Sequence, residues 1–411
     1  MKWFRRIFGT PTRDELAQLL IDIHRRAGFE AIQYDPESFQ LRLQGDDGKP
    51  ILKNLHNAHA AYAAARPWQR GTILRRFSAS PWQFPPAATW EEAVPRLRPG
   101  LRDAYMFETL RLQARLEGDP GQGKLVYAQR TFAGRVCVTL LEDHHEHMAS
   151  VSSEALQTWG VSFDQALATA LANLGAASAP RRWTSPFPGV YASAWQDDYD
   201  ASRLLLPDIL AGLELRGVPI AVLPNRNCLI VTGSEDDEAV GRALALAESQ
   251  MEAPGALSVL PLRQTPSGWA PWEIADNHPG RETFRRLRIQ EMGGIYEDQK
   301  RLIDAIHEKE QTDIFVGSFS AFENQETGQV RSYSTWTWGV LSLLPRTDLI
   351  GLYDPRLPDG EKIRGLFEWE KVEAVCGHLM KETSDVPPRY LVEQDAFPTD
   401  EDFAAMGSPV A

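Results

Sequence analysis

The sequence predicts an α+β protein with mixed and antiparallel sheets and packed helices, plus a C-terminal module built on a long β-hairpin and a helix. Three observations support this class. Strand-like and helical patterns follow each other without the strict alternation of a doubly wound parallel sheet. The stretch 199–250 has the pattern of loop, helix, hairpin and helix. Beyond residue 313, the apolar period changes from that of a helix to two.

Composition limits the class of protein. The 411 residues are 43% hydrophobic, which predicts two or three domains with real cores. The formal net charge of -13 would repel a phosphate backbone, so we expect no nucleic-acid partner. The three cysteines (Cys137, Cys228 and Cys376) are far apart and odd in number, which indicates reduced core residues and a cytoplasmic location.

The N-terminal arm, residues 1–11, combines aromatic and basic side chains. No apolar stretch follows it as a signal peptide would require, and no run reaches the roughly eighteen apolar residues of a membrane span. Two interpretations remain: an arm packed on its own domain, or weak attachment to an anionic membrane through the face of Trp3, Phe4, Ile7 and Phe8. The first is favoured, because so short a helix is marginal alone.

Residues 12–265 are predicted to form one α+β module, with an internal boundary near 176–188. Its first half is predicted to contain a helix over 14–26 capped by Thr12, a strand over 39–43, helical segments over 52–77 and up to 116, strands over 124–130, 135–142 and 147–152, and helices over 154–159 and 163–174.

The central stretch is predicted in more detail. Pro207 cannot lie deep in a helix, so a helix should begin near 204–206 and end at Gly217. A hairpin of strands 218–223 and 228–232 should follow. Ser234 is then expected to cap the next helix, because acidic residues follow it in the first turn.

This stretch combines the string Tyr199-Asp200-Ala201-Ser202-Arg203, the apolar helix, the Pro224 hairpin and the paired strand 257–262. In this combination the chain resembles the YtpQ-like family of uncharacterised bacterial proteins, from about Asp14 to about Ile274. It implies a fold, since the activity of the family is not established. Asn227 stands where the pattern Pro-x-x-Asp would have an acid, which argues against a catalytic carboxylate there.

The C-terminal module is predicted over 266–383. A broken, linker-like passage over 264–280 precedes a helix over 296–308, a hairpin of strands 313–322 and 330–344, a strand over 348–353 and a helix over 369–380. Trp336 and Trp338 share one strand face that should fill a core, or form a binding platform if exposed. The acidic tail, 384–411, is predicted to be mobile.

The predicted ligand-binding residues are Tyr199, Asp200, Ser202, Arg203, Arg226 and Asn227. An arginine and a hydroxyl just before a helix N-terminus can hold a carboxylate or phosphate, because free N–H groups and the helix dipole favour anions there. The alternative, which we favour, is structural: Asp200 and Arg203 pair with each other and Ser202 caps the helix.

Other strings predict no metal, cofactor or catalytic residue. Gly118–Lys124 comes near a phosphate-binding loop, but Leu125 replaces the metal-binding hydroxyl and the order is helix, loop, strand. Asp143–His147 has metal-ligand types, yet consecutive strand residues point to opposite faces, which favours a solvated turn. His56 and His59 lack a third donor that sequence can name, and Cys376 and His378 lie nearly opposite on a helix.

The sequence therefore favours a non-catalytic binding or accessory protein. Its partner would be a protein or a small anionic ligand, held in the groove between the modules or by the Tyr199–Arg203 loop. Two alternatives stay open: a hydrolase or transferase that uses the same loop, and a peripheral membrane protein attached through the N-terminal arm.

Overall fold

The computed structural model describes residues 11–37, 39–44, 50–66, 69–78, 87–118, 127–144, 148–251, 253, 255–324 and 328–410. Over these residues the chain forms helices packed on antiparallel and mixed sheets, so the predicted α+β class is confirmed. The N-terminal arm, most of the Gly118–Lys124 string and His145–His147 lie outside the described residues.

The N-terminal unit has its own core. It consists of α1 (Arg13–Arg26), β1 (Ile32–Asp35), β2 (Gln40–Gln44), β3 (Pro50–Asn54), α2 (His56–Ala64) and α3 (Arg70–Ser78). Thr12 and Glu15 form a capping box that starts α1, as the sequence predicts. The three strands pair antiparallel in chain order. The helical prediction over 52–77 is wrong at its start, because residues 50–54 pair with β2.

A second sheet follows. Its elements are α4 (Trp90–Ala93), β4 (Leu97–Asp103), α5 (Ala104–Glu117), β5 (Gln129–Ala133), β6 (Val136–Asp143), β7 (Met148–Ser150), α6 (Ser153–Trp159) and α7 (Phe163–Ala177). The order is β4-β6-β5, with β7 also paired to β6. The predicted helical segment that ends at 116 is wrong over 97–103, because these residues form β4. Leu97 and Leu101 of this strand are fully buried. Pairing with β6 along seven residues outweighs the local helical pattern.

The third sheet is antiparallel and packs on α8. Its order is β13-β12-β10-β11-β9-β8. The elements are β8 (Trp183–Phe187), β9 (Val190–Ser193), β10 (Pro219–Asn225), β11 (Cys228–Gly233), α8 (Asp237–Glu248), β12 (Ala256–Thr265) and β13 (Gly268–Pro271). The predicted hairpin and its paired strand are confirmed. Asp236, not Ser234, caps α8, because the Ser234 hydroxyl accepts from the Val218 N–H.

The predicted helix over 206–217 is wrong. A short 3-10 helix covers Ala201–Leu205, and turns follow it. Pro207 holds Leu206 in an extended conformation, with ψ of 124°, and Gly212 has a φ of 88°, so the helix does not continue. Leu210 and Leu213 of the predicted apolar helix face still pack against the core, but from these turns.

The C-terminal part begins with the long helix α9 (Arg281–Glu310), which contacts both halves of the chain. Its Phe284 and Leu287 lie in the core of the third sheet, whereas its Leu302 and Ile306 pack against α5 and the C-terminal strands. The predicted helix start at 296 is wrong, because α9 begins at Arg281. The predicted linker over 264–280 is wrong at its start, where β12 and β13 pair up to Pro271, whereas 272–280 contains no helix or strand. The predicted domain boundary at 265 stays a prediction.

Two four-stranded sheets complete the fold, in the orders β14-β17-β21-β20 and β15-β16-β18-β19. The elements are β14 (Phe315–Val316), β15 (Ser320–Glu323), β16 (Val330–Thr337), β17 (Ser342–Pro345), β18 (Leu349–Tyr353), β19 (Ile363–Glu368), α10 (Trp369–Cys376), β20 (Lys381–Glu382), β21 (Arg389–Val392) and α11 (Asp400–Met406). The predicted hairpin of 313–322 and 330–344 is present only as β15 and β16, because β14 and β17, at its outer ends, pair parallel in the other sheet. Fully buried Trp336 fills a core.

The C-terminal tail is not the mobile segment that its composition predicts. β21 pairs with β17 and β20, and Phe397 and Met406 pack around Trp336. Thr399 caps α11 through a capping box with Asp402. A few large apolar side chains thus hold an acidic segment that composition alone would class as disordered.

Candidate functional site

The Tyr199–Arg203 string lies inside the protein. Asp200 accepts hydrogen bonds from the backbone N–H groups of Trp195 and Gln196, at 3.1 and 2.9 Å. The Ser202 hydroxyl accepts from the Leu101 N–H at 3.0 Å. The side chains of Asp200, Ser202 and Arg203 are at most 1% exposed, and Tyr199 is 5% exposed. The string therefore joins the 3-10 helix to β4.

The partner of Arg203 is Asp197, not the predicted Asp200. Its guanidinium forms a bidentate pair with the Asp197 carboxylate at 2.7 and 2.6 Å. Its Nε donates to the Ser178 hydroxyl, and the Trp195 ring lies 4.4 Å from its Cζ. Burial disfavours the charged Asp197, but the hydrogen bonds from Arg203 outweigh it and lower the pKa of that carboxyl. Burial raises the pKa of Asp200.

Arg226 and Asn227 complete the cluster of predicted residues. Both side chains donate to the Asp198 carboxylate, at 2.9 and 2.8 Å, and the Asn227 amide oxygen accepts from the Asp198 N–H. The structure thus brings together all six predicted residues, but through Asp197, Asp198 and internal backbone groups, and the sequence analysis named neither aspartate. Their ligand-binding role stays a prediction, and the geometry favours the structural alternative.

A cleft of about 340 Å³ lies where the second and third sheets meet α9 and the C-terminal strands. This is the groove between the predicted modules. The lining residues come from nine separate stretches of the described chain. They are Ala133–Val136, Ser258 and Leu260–Leu262, Pro271, Arg288, Ile289, Met292 and Tyr296 of α9, Phe319 and Ser332, Arg346–Asp348 and Glu370, and Pro387 and Pro388.

Glycine shapes one wall of the cleft. Gly134 sits in the turn between β5 and β6 with a φ of 55°, which L-residues rarely adopt. A Cβ there would lie 2.9 Å from Cγ of Pro271. The absence of a side chain lets this turn approach β13, so that Ala133 and Val136 face the cleft beside Pro271.

The opposite wall is aromatic. The rings of Tyr296 and Phe319 stack with centroids 5.5 Å apart and an interplanar angle of 16°. The Tyr296 hydroxyl donates to the Pro388 carbonyl and accepts from the Arg346 N–H. Burial raises the pKa of Tyr296 to about 12, so the phenol stays neutral. This hydroxyl is thus held by the backbone on both sides.

A buried arginine supports this wall from behind. Arg389 is fully buried and donates from Nη2 to the Tyr296 carbonyl, from Nε to Gln299, and from Nη1 to the Gly317 carbonyl, at 3.0, 2.6 and 2.8 Å. Burial lowers its pKa to about 10, which still leaves it charged near neutral pH. Arg389 therefore ties β21 to α9 just below the aromatic pair.

Arg135 directly precedes β6, and its guanidinium is paired with carboxylates of the protein itself. It contacts the carboxylates of Asp103, at 2.9 Å, and Glu291. Glu291 also accepts from the Ser258 hydroxyl and the Val259 N–H. Burial disfavours the guanidinium charge, but the carboxylates of Glu291 and Asp103 outweigh it and raise the pKa of Arg135. This network joins β4, β6, β12 and α9.

The other charged groups of the cleft are paired in the same way. Arg288 contacts Asp348, whose Oδ2 accepts from both the N–H and the hydroxyl of Ser332.

Arg346, 44% exposed, contacts Glu373 at 3.1 Å and Glu370 at 3.7 Å. Burial disfavours its charge, but a hydrogen bond with Tyr390 and the charge of Glu373 raise its pKa.

The polar side chains of the cleft are bound to protein partners. The residues that line it include no histidine, cysteine or lysine. Ser332 is buried, and its hydroxyl is hydrogen-bonded to a carboxylate that Arg288 already neutralises. Catalytic nucleophiles need a free base within reach. What the cleft offers is an apolar concavity with paired charges at its margin.

Sequence reasoning named this groove but assigned no residue to it. The one local indication of the cleft in the sequence is the run of small and aromatic residues 292–296 in the middle of a charged helix. The sequence analysis did not use it, because it predicted that the helix begins at Tyr296.

In the described part of the chain, no group of three His, Cys, Asp or Glu side chains is arranged to hold a metal ion. His59 donates from Nε2 to the Pro11 carbonyl, 2.9 Å away. No described helix combines the length and apolar character that a bilayer crossing requires.

Comparison of the chain with family models, curated proteins and solved structures finds no match. The resemblance to the YtpQ-like family therefore stays a prediction.

Proposed function

We propose that this chain is a non-catalytic binding protein whose cleft takes a small, mainly apolar molecule. The observation that carries the proposal is the wall composition. Aliphatic, proline and aromatic side chains from both halves of the protein converge on one concavity, and the polar side chains among them are bound to protein partners.

Size supports a small molecule. Small-molecule sites commonly measure about 300–1,000 Å³ and are lined mainly by hydrophobic and aromatic side chains. The cleft, at about 340 Å³, lies at the lower end of that range. A site of this size suits a ligand of up to about three aromatic rings.

The rigidity of the walls also supports binding. Tyr296, Arg135 and Asp348 are each held by two or more hydrogen bonds or ion pairs from different elements. A preformed site loses less conformational entropy when a ligand enters.

The test is a fluorescence titration with N-phenyl-1-naphthylamine, an uncharged probe of three aromatic rings that brightens in apolar sites. We expect saturable binding to the full chain. Met292→Trp fills the cleft and should weaken the probe at least about tenfold, or about 1.4 kcal/mol. Met106→Trp makes the same exchange on α5 at a side chain that is 38% exposed and does not line the cleft.

Circular dichroism and urea unfolding should show both variants folded. Absence of saturable binding to the wild type would overturn the proposal, as would equal affinities of Met292→Trp and Met106→Trp.

A further inference from the structure

We infer that the cleft favours uncharged ligands over anionic ones, because each of its arginines already contacts two carboxylates. This inference rests on the proposed binding function and names the ligand class of the same site. It differs from the small anionic ligand that the sequence predicts.

The ion pairs show how the arginines are committed. Arg135 contacts Asp103 and Glu291. Arg288 contacts Asp348 and, at 3.9 Å, Glu273.

Arg346 contacts Glu370 and Glu373. Two carboxylates per guanidinium leave an excess of negative charge around the cleft, in a chain whose net charge is already -13. An anion would therefore have to enter against repulsion or displace a carboxylate.

The hydroxyl groups are committed as well. Ser332 donates to Asp348, Ser258 to Glu291 and Thr347 to the Leu349 carbonyl. An apolar ligand orphans none of these groups, because all have partners inside the protein. An anionic ligand, in contrast, loses its hydration and finds few free hydrogen-bond donors in exchange.

The pair of glutamates on Arg346 is the most accessible part of this arrangement. Glu370 and Glu373 lie on α10, and their side chains are 72% and 38% exposed. Neutralising them frees a guanidinium at the margin of the cleft without burying an unpaired charge. These two glutamates are thus predicted to set the charge specificity of the site.

The experiment compares two probes with one scaffold: N-phenyl-1-naphthylamine, which is uncharged, and 8-anilino-1-naphthalenesulfonate, which adds a sulfonate. We expect the wild type to bind the sulfonate at least about tenfold more weakly, a difference of about 1.4 kcal/mol. In Glu370→Gln/Glu373→Gln the ratio of the two dissociation constants should shrink about fivefold or more, because Arg346 becomes free for the sulfonate.

The matched control is Glu361→Gln/Glu401→Gln, which removes the same total charge at exposed positions that do not line the cleft. It should leave the ratio unchanged. Met292→Trp checks that both probes occupy the cleft.

The outcomes separate the two proposals. Failure of the uncharged probe to bind would overturn both. Equal wild-type affinities for the two probes, both weakened by Met292→Trp, would overturn the charge selection and leave the binding function standing. An unchanged ratio in Glu370→Gln/Glu373→Gln would show that these glutamates do not set it.

Discussion

Two regions of this molecule use the same pairing of arginine with carboxylate for different ends. In the Tyr199–Arg203 cluster, the pair of Arg203 and Asp197 closes a loop against α7 and a tryptophan ring, and the guanidinium is fully buried. In the cleft, the arginines are 16% to 44% exposed and stand around an apolar cavity. Pairing removes free charge in both places, but only the second leaves room for a ligand.

The difference shows that a distinctive local string is a poor guide to a binding site. Arginine, hydroxyl and acid in five consecutive residues suggest recognition, yet loop closure requires the same residue types. A cavity needs surfaces from several segments, and its residues can each be unremarkable in sequence.

The largest effect expected from the comparison is on stability. Arg203→Ala should lower the free energy of unfolding by about 3 kcal/mol, because it removes a buried side chain and its bidentate pair. Urea unfolding followed by circular dichroism measures this. Arg216→Ala, at an arginine that is 72% exposed, should change stability by less than about 0.5 kcal/mol.

The affinity of Arg203→Ala for N-phenyl-1-naphthylamine should match that of the wild type. A variant of normal stability that fails to retain a partner captured by the wild type would instead support the predicted ligand-binding role of Arg203.

A buried histidine contrasts with these clusters of paired charges. His24 of α1 is fully buried, and neither of its ring nitrogens has a hydrogen-bond partner among the described residues. Burial, and then the charge of Lys53, lower its pKa to about 4 from 6.5. The folded state keeps the ring neutral while the unfolded chain takes up a proton, so stability is fully present above pH 6.5 and falls as the pH drops towards 4.

We expect this loss to reach about 2 kcal/mol, less than the full pKa difference implies, because local opening admits water. Burial lowers the pKa of Lys53 to about 8, which places its titration outside this window. Urea unfolding at pH 7 and pH 4.5 should show a smaller acid loss in His24→Leu than in the wild type. His378→Leu, at an exposed position, is the control. Equal acid losses in wild type and His24→Leu would refute this assignment.

The smallest effect concerns the aromatic wall of the cleft. Phe319→Ala removes the ring that stacks on Tyr296 and should weaken N-phenyl-1-naphthylamine about threefold to tenfold, or about 1 kcal/mol. Phe322→Ala, at a ring that is 37% exposed on β15 and outside the cleft lining, should have no such effect. Titration of both variants decides it, and equal affinities would remove Phe319 from the site.

Local patterns predicted some elements well and others poorly. The hairpin of β10 and β11, the strand β12 and the helix α1 follow from alternation, turn residues and capping near in sequence. β4 was missed because its strand character depends on β6, about 40 residues away along the chain. The helix predicted to end at Gly217 was wrong, because the same spacing of apolar residues fits turns as well as a helix. Pro207 and Gly212 favour the turns.

The sequence by itself determined the α+β class, the buried aromatic strand β16 and the capped start of α1, because these depend on residues close together in the chain. Only the tertiary structure decided that Ser202 accepts from Leu101, that Arg203 pairs with Asp197, and that the acidic tail is packed. It also decided that nine separate stretches of the chain meet at one cleft. The physical reason is that a polar side chain takes whichever partner the fold brings within hydrogen-bond reach, and Ser202 and Leu101 are 101 residues apart in sequence.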